Sequence, residues 1–180
     1  MHKKFLLLVL TISLTNCVVK KKTTYAKAKT VTIEADQPLE TSPRIRKKKT
    51  KELEKADEII NIALQFTGTR YKFGGTTRKG MDCSGLVYVA LLENNISFPR
   101  ASYQMATEGK KINLSQVQKG DLLFFKTGRK GKRINHVGLV VSIADDEIKF
   151  IHATTSRGVI VSSLREGYWS NSFVKANRIL

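Results

Sequence analysis

The 180-residue sequence predicts one α+β domain in its C-terminal part, preceded by appendages. Segments with helical spacing of apolar residues come first, and segments with the short apolar pattern of strands follow. This order is typical of an α+β fold with an antiparallel sheet. The chain is 41% hydrophobic, which is enough to bury a single core of modest size. We therefore expect one folded domain over residues 52–180.

Each element of that domain has a local pattern. Apolar residues at helical spacing predict a first helix over 52–66, with Gly68 after its end. A second helix is predicted over 82–94 and a short third one over 101–108, before Gly109. Turns that contain Gly or Asp separate five predicted strands. These strands cover residues 121–126, 136–143, 147–153, 159–163 and 173–179.

Residues 1–17 have the pattern of an export signal. Lys3 and Lys4 give a basic start, and residues 5–14 form an apolar run too short to span a bilayer. The following Asn16-Cys17 resembles a bacterial lipobox, which predicts cleavage before Cys17 and lipid attachment to its sulfur. Asn16 replaces the usual small residue, so plain secretion and an uncleaved anchor stay open. Val18 after the lipidated cysteine favours the outer membrane, facing the periplasm.

Residues 18–51 are polar and basic, with Tyr25 as the only aromatic residue. Too few apolar groups are present to offset chain entropy, which predicts a disordered tether with a reach of roughly 30 to 35 Å. The net charge of +17 divides into +2 for residues 1–17, +8 for this segment and +7 for the rest. A basic exported tail favours anionic lipid headgroups or the acidic wall polymer over nucleic acid, and a merely solvated linker is the alternative.

The loop before the second helix delivers Cys83 to the start of that helix. Asp82 is predicted to be the N-cap, so Cys83 lies in the first turn. There the helix dipole and the free backbone N–H groups favour a thiolate. If Cys17 carries lipid, Cys83 is the only remaining thiol and has no disulfide partner. The alternative is a buried cysteine that packs as a small hydrophobic residue.

Two histidines could assist this cysteine. His136 and His152 both lie in strand-like segments, so the fold can bring them together, whereas His2 is at the extreme N-terminus. Structural zinc sites usually contain ligands in closely spaced pairs, which this sequence lacks. We therefore predict a cysteine–histidine site with no metal and no cofactor.

Six motifs in order give the segment 71–180 a resemblance to the NlpC family of cell-wall cysteine peptidases, and most of all to its Spr-like murein endopeptidase lipoproteins. Lys119 departs from the proline that the family often has at that position. The resemblance implies a papain-like core, with helices packed on an antiparallel sheet, and hydrolysis of peptidoglycan. The motifs are Tyr71-Lys72-Phe73-Gly74-Gly75, Asp82-Cys83-Ser84-Gly85-Leu86-Val87, Pro99-Arg100-Ala101-Ser102, Gly120-Asp121-Leu122-Leu123-Phe124-Phe125, His136-Val137-Gly138 and Phe150-Ile151-His152-Ala153.

The chemistry of these residue types makes Cys83 the nucleophile and His136 the base. The family assigns the same roles to the matching positions. His152 is expected to hold the His136 ring in its working tautomer. The backbone N–H of Cys83 is the expected oxyanion donor, and the family match adds Tyr71 through its hydroxyl or as a wall of the cleft. Further candidates for substrate contact are Asp82, Ser84, Arg100 and Ser102. Each has a purely structural alternative: Asp82 and Ser102 as helix caps, Ser84 as a residue on a helix surface, and Arg100 as a solvated charge.

The resemblance leaves the scissile bond open. The continuation of the likeness over residues 152–160 favours the cross-link between D-alanine and diaminopimelate, and the bond between D-glutamate and diaminopimelate in the stem peptide is the alternative. Two other classes stay in consideration: a thiol acyltransferase and a wall-binding module without activity. A monomer is expected.

Strand parity makes a geometric prediction about the two histidines. Side chains of a strand alternate between faces, so His136 and His152 share a face only if their pairing keeps even parity. A three-residue or bulged turn centred on Ala144 would pair Val140 with Ile148 and His136 directly with His152. A two-residue Asp145-Asp146 turn would pair His136 with Thr155 and separate the histidines. We predict the first register, with Gly138 on the catalytic face leaving room beside His136.

Overall fold

The computed structural model describes residues 43–128 and 133–180, with side chains described from residue 47 onward. Four α-helices occur in this part of the chain: α1 (Pro43–Leu64), α2 (Cys83–Leu92), α3 (Ser102–Met105) and α4 (Gly167–Ser172). A 3-10 turn covers Leu114–Gln116. The strands are β1 (Thr76–Thr77), β2 (Gly80–Met81), β3 (Lys110–Ile112), β4 (Leu122–Phe125), β5 (His136–Ala144), β6 (Glu147–Thr154), β7 (Gly158–Ser163) and β8 (Phe173–Arg178).

The strands form a six-stranded sheet in the order β3-β8-β4-β5-β6-β7, and its neighbouring strands pair antiparallel. A separate two-stranded ribbon, β1-β2, precedes α2. The α+β class and all five predicted strands are confirmed. Sequence reasoning missed β3, the ribbon and α4, because three of these four segments have only two or three residues and α4 has only six.

Helix α1 begins earlier than the predicted start at residue 52, within the segment expected to be a disordered tether. Lys and Arg have good helix propensity, and the Lys48 and Glu52 side chains approach to 3.7 Å one turn apart. The helical part of that segment corrects the prediction for residues 43–51. The rest of the tether and the signal lie outside the described residues. Within the described part, no helix is both long and apolar enough to cross a bilayer.

Two apolar clusters lie on opposite faces of the sheet. The larger one packs α1 and α2 against alternate residues of β4 and β5, with Leu86, Phe124 and Val137 among its members. The smaller one includes Phe125, which alternates with Phe124, and Trp169 of α4. Burial of both faces explains why β4 reads as a continuous apolar run instead of an alternating one.

The β5–β6 hairpin corrects the predicted register. Ala144 pairs with Glu147, and Asp145 and Asp146 both have positive φ (48° and 58°), so the connection is the tight two-residue turn that parity had argued against. A bulge between Val140 and Ser142 then shifts the pairing by one residue. Val140 pairs with Phe150, not with Ile148 as predicted. The bulge restores the even parity that brings His136 and His152 to one face.

Candidate active site

Cys83 is the first residue of α2, as predicted. Asp82 is the N-cap (φ −99°, ψ 173°), and its Oδ1 accepts a hydrogen bond of 2.6 Å from the backbone N–H of Gly85. A Cβ atom at Gly85 would lie 2.1 Å from the carbonyl oxygen of Gly75, so only glycine allows the helix to approach the preceding loop. Local backbone requirements therefore fix where the thiol lies.

The electrostatic environment of Cys83 differs from the predicted one. Burial is the largest cause that raises the pKa of the thiol to about 11, and the Asp82 carboxylate adds to it. Backbone N–H groups of Val137, Ser84 and Cys83 itself act in the opposite direction but do not overcome burial. The expectation that the helix start favours a thiolate is therefore wrong for the unliganded protein, in which Cys83 is a protonated thiol at neutral pH.

His136 and His152 are joined by a hydrogen bond between Nε2 of His136 and Nδ1 of His152, with 3.0 Å between the nitrogens. The observed register, continued towards the start of β5, places Gly138 opposite His152, so the two histidines are diagonal neighbours and not a direct pair. A Cβ at Gly138 would lie 2.4 Å from the Phe150 ring. Gly138 thus makes room for Phe150, which lies against His152 at 4.7 Å between ring centroids, and not for His136 as predicted.

Both imidazoles are buried in an aromatic environment. His136 is 8% exposed and His152 is fully buried. Burial lowers the pKa of His136 to about 4. It also lowers the pKa of His152, with smaller contributions from the charges of His136 and Arg157. Both rings are therefore neutral at pH 7.

Two clefts meet at Cys83. One, of about 460 Å³, is lined by Arg100 and Arg133, and the other, of about 450 Å³, contains His136 and the turn after β6. Tyr71 and Cys83 line both clefts. The first cleft brings together the predicted candidates for substrate contact, Tyr71, Asp82, Ser84, Arg100 and Ser102. Cys83 therefore lies on the border between the two clefts.

Asp82 and Arg100 form a two-point ion pair under the first cleft. Arg100 donates to Oδ1 of Asp82 at 2.9 Å and to Oδ2 at 3.0 Å, and also to the Ser84 hydroxyl at 2.8 Å. Burial raises the pKa of Asp82, but the hydrogen bonds from Arg100, Gly85 and Gly74 together lower it below its ordinary value. The carboxylate is therefore ionised at pH 7 and the base of the cleft carries fixed charges.

Four of the predicted contact residues have definite structural roles in the first cleft. Asp82 is a cap and also an ion-pair partner. Ser84 is 7% exposed, so it is not a helix-surface residue, and Arg100 is paired instead of freely solvated. Ser102 is not the cap of α3, because Ala101 occupies that position. Ser102 is instead a buried residue of the cleft wall.

Sequence reasoning missed three residues of the site. Trp169 lines the His136 cleft from α4, and Arg133 lines the other cleft, its guanidinium 5.1 Å from the centre of the Tyr103 ring. Asn135 exchanges hydrogen bonds with Thr127 in both directions, which closes the base of the loop before β5. In the sequence, only its position next to His136 pointed to Asn135. Trp169 was distinguished only as the single tryptophan of the chain.

Among the described residues, no group of three or more His, Cys, Asp or Glu side chains is arranged to hold a metal ion. The two facing nitrogens of the His136–His152 pair are joined to each other. Cys83 and His136 line the same cleft.

Residues 68–178 match the NlpC/P60 family. The chain is 45% identical over 122 residues to the "Probable endopeptidase NlpC" of Escherichia coli (strain K12), covering 67% of this chain and 76% of that protein. It is 37% identical over 123 residues to the "Murein DD-endopeptidase MepS/Murein LD-carboxypeptidase" of the same strain, covering 68% of this chain and 62% of that protein. The match therefore spans less than two thirds of the latter's length.

Among solved structures, an NlpC/P60 family protein from Bacillus cereus superposes with a TM-score of 0.62 at 29% identity, covering 69% of this chain and 40% of that chain. This likeness confirms the predicted α+β, papain-like core. The family match extends over most of the chain and includes the loop before Cys83, both histidine strands and β8. The chain belongs to the NlpC/P60 family.

Proposed function

We propose that this chain is a murein endopeptidase that hydrolyses peptide bonds of peptidoglycan through Cys83, His136 and His152. Membership of the NlpC/P60 family and the endopeptidase names of its Escherichia coli relatives support the reaction class. The observation that carries the proposal is the 3.0 Å bond from buried His152 to His136, which lines a cleft that also contains Cys83.

The lowered pKa of His136 and the raised pKa of Cys83 define the first step. The resting pair is neutral, so the Cys83 proton moves to His136 as the sulfur attacks the carbonyl carbon of the substrate. His136 receives the proton at Nδ1, because its Nε2 is bound to Nδ1 of His152. It then returns the proton to the leaving amine, and water releases the acyl group from the sulfur.

The negative oxygen formed during attack needs donors. Cys83 begins α2, so its backbone N–H has no partner within the helix and is available to the substrate oxygen. Tyr71 lies on the border of both clefts, and burial is the main cause that raises the pKa of its hydroxyl, which keeps it a donor at pH 7. These two groups are the proposed oxyanion contacts.

We favour the cross-link between D-alanine and diaminopimelate as the scissile bond, with the bond between D-glutamate and diaminopimelate as the alternative. Clefts on both sides of Cys83 support an internal bond of a branched peptide. Arg100 and Arg133 on one side and Arg157 on the other suit the carboxylates of such peptides. The "Murein DD-endopeptidase" name of a relative also favours the cross-link.

Digestion of purified sacculi followed by mass analysis tests the proposal. Cleavage of the cross-link converts dimeric muropeptides to monomers with unshortened stems, whereas cleavage after D-glutamate leaves dipeptide stems. Cys83→Ala is the matched control and should release nothing. A thiol acyltransferase would give new acyl products without new stem ends, and a wall-binding module would bind sacculi without cleaving them; either result would refute hydrolysis.

Anchoring is a separate part of the proposal. A lipid on Cys17 would hold the domain at a membrane, by preference the outer membrane facing the periplasm, and residues 18–42, which precede α1, would supply the distance to the wall. Cys17→Ser should release the protein from the membrane fraction without changing the rate of murein cleavage. Membrane-bound Cys17→Ser protein would contradict the lipobox interpretation.

A further inference from the structure

Trp169 is held rigidly beside the proposed catalytic pair. It lies in α4, is 5% exposed, and packs edge to face against Phe125 (5.3 Å between ring centroids, 69°) and Phe150 (5.6 Å, 87°). A buried indole with two perpendicular ring neighbours has a single available orientation. Its position is therefore set by the core and not by solvent.

The indole contacts both imidazoles. It stacks on His136 with 5.2 Å between ring centroids and an interplanar angle of 23°. It also meets His152 at 4.4 Å and 78°. The two imidazoles are themselves nearly perpendicular, at 85°. A shift of the indole would therefore disturb the orientation of both rings.

His152 has one nitrogen with no polar neighbour. Its Nδ1 is bound to His136, whereas its Nε2 is buried and has no hydrogen-bond partner among the described residues. The rings of Phe150 and Trp169 lie against His152. For His136 to take a proton at Nδ1, its Nε2–H must donate to Nδ1 of His152, and His152 then carries its own proton at Nε2, among aromatic rings.

The charge that His136 acquires has few partners. The titratable groups around its cleft are Cys83 from α2, Tyr71 from the loop before β1, Arg157 from the turn after β6, and Glu166 and Tyr168 at the start of α4. Glu166 is the one carboxylate in this set, and its Oε1 accepts the backbone N–H of Ser163. The Trp169 ring, which stacks on His136, therefore presents its negative face to an imidazolium at that position.

We propose that Trp169 is a positioning residue for the thiol reaction: its stacked face holds the His136 ring in line with His152 and stabilises the positive charge that His136 carries while it holds the Cys83 proton. The inference rests on the proposed function and adds a residue to it. The neutral resting state of His136, whose pKa burial lowers to about 4, makes that stabilisation matter most in the transition state.

The single tryptophan of the chain permits a direct test. Biosynthetic replacement of tryptophan by mono-, di- and trifluorotryptophan changes only position 169, and it weakens the negative face of the indole with almost no change in shape. In the full-length chain, kcat for muropeptide cleavage should fall stepwise with fluorine number, by roughly tenfold at three fluorines, while KM changes less than about twofold. A kcat independent of fluorine number would overturn the proposal.

Substitutions provide the second measurement. Trp169→Leu should lower kcat by about 30-fold and move the acid limb of kcat/KM to lower pH, because the imidazolium loses its stabilising face. Trp169→Phe should recover part of both effects. Phe173→Leu is the matched control, since Phe173 contacts Phe125 but makes no ring contact with either imidazole. An unshifted acid limb in a folded Trp169→Leu protein would reduce Trp169 to a packing residue.

Failure of the proposed function is a distinguishable result. If Cys83→Ala still cleaves sacculi, or the unmodified chain does not, the thiol mechanism is wrong whatever the fluorotryptophan series shows. If Cys83 is required and the series is flat, the thiol mechanism stands and the Trp169 proposal fails.

Discussion

Lowering the pH from 7 to 5 should destabilise the folded domain through its two buried imidazoles. The pKa of His136 falls from the ordinary 6.5 to about 4 on folding, and that of His152 is also lowered by burial. Between pH 6.5 and the folded pKa the unfolded chain binds protons that the folded chain does not. Stability is therefore full above about pH 6.5 and is lost as the pH falls below it.

The magnitude follows from the width of the window. From pH 6.5 to pH 5, one histidine that stays neutral in the folded state contributes about 2 kcal/mol of lost stability, and the two together about 4 kcal/mol. Asp82, whose pKa is held below its ordinary value, loses its contribution only at lower pH. His152→Phe removes one of the two imidazoles and should reduce the loss to about 2 kcal/mol.

Urea unfolding at pH 7, 6, 5.5 and 5 measures this effect, with the fluorescence of Trp169 as the probe. The wild type, His152→Phe and one control variant are compared. Phe150→Leu is the control, because Phe150 lies against His152 without titrating. It should lower the free energy of unfolding equally at every pH. An identical pH dependence in the wild type and His152→Phe would refute the assignment of a depressed pKa to His152.

Three further outcomes are expected. Cys83→Ala should abolish cleavage while changing the free energy of unfolding by about 1 kcal/mol or less, and EDTA should leave wild-type activity intact; zinc-restored activity after EDTA would contradict the thiol mechanism. Arg100→Lys should destabilise by about 1 to 3 kcal/mol in urea titrations, because one ammonium cannot replace both bonds to Asp82, and an unchanged unfolding midpoint would show that the ion pair contributes little. Deleting Val141 should remove the bulge of β5 but leave Val140 opposite Phe150, so that His136 and His152 keep a common face and activity survives with a modest change in thermal stability; a folded but inactive deletion variant would contradict this register.

The sequence predicted those parts of the fold and site that depend on local patterns. Cap and glycine requirements around Cys83 placed the thiol at the start of α2, and apolar strand patterns located β5 and β6. The charge of the Lys and Arg run before residue 52 indicates a solvated linker, and this pattern hides the early start of α1. Lys and Arg nevertheless favour a helix when a partner such as Glu52 follows one turn later.

Properties that arise only from packing could not be predicted in this way. The helix start at Cys83 indicated a lowered thiol pKa, yet the apolar cluster around the helix raises it, and burial is not visible in a motif. The role of Trp169 is of the same kind, since it depends on a six-residue helix that touches the histidines from the far side of the cleft. Local sequence thus located Cys83 and the two histidines, and tertiary packing shifted the pKa values of their side chains.

In the β5–β6 hairpin, His136 and His152 lie on a common face of the sheet as predicted, although the predicted register is wrong. A common face requires an even offset between His136 and His152, and the predicted register places that offset in the turn. Aspartate tolerates positive φ well enough for Asp145 and Asp146 to form the tight turn, so the odd residue is accommodated inside β5, beside Val141. The bulge moves His136 one step along β6 and makes the imidazoles diagonal neighbours, which is still close enough for a 3.0 Å bond between ring nitrogens. A bond between two side chains requires a common face and a reachable distance, and the fold meets both requirements with a different turn from the one that the pattern favoured.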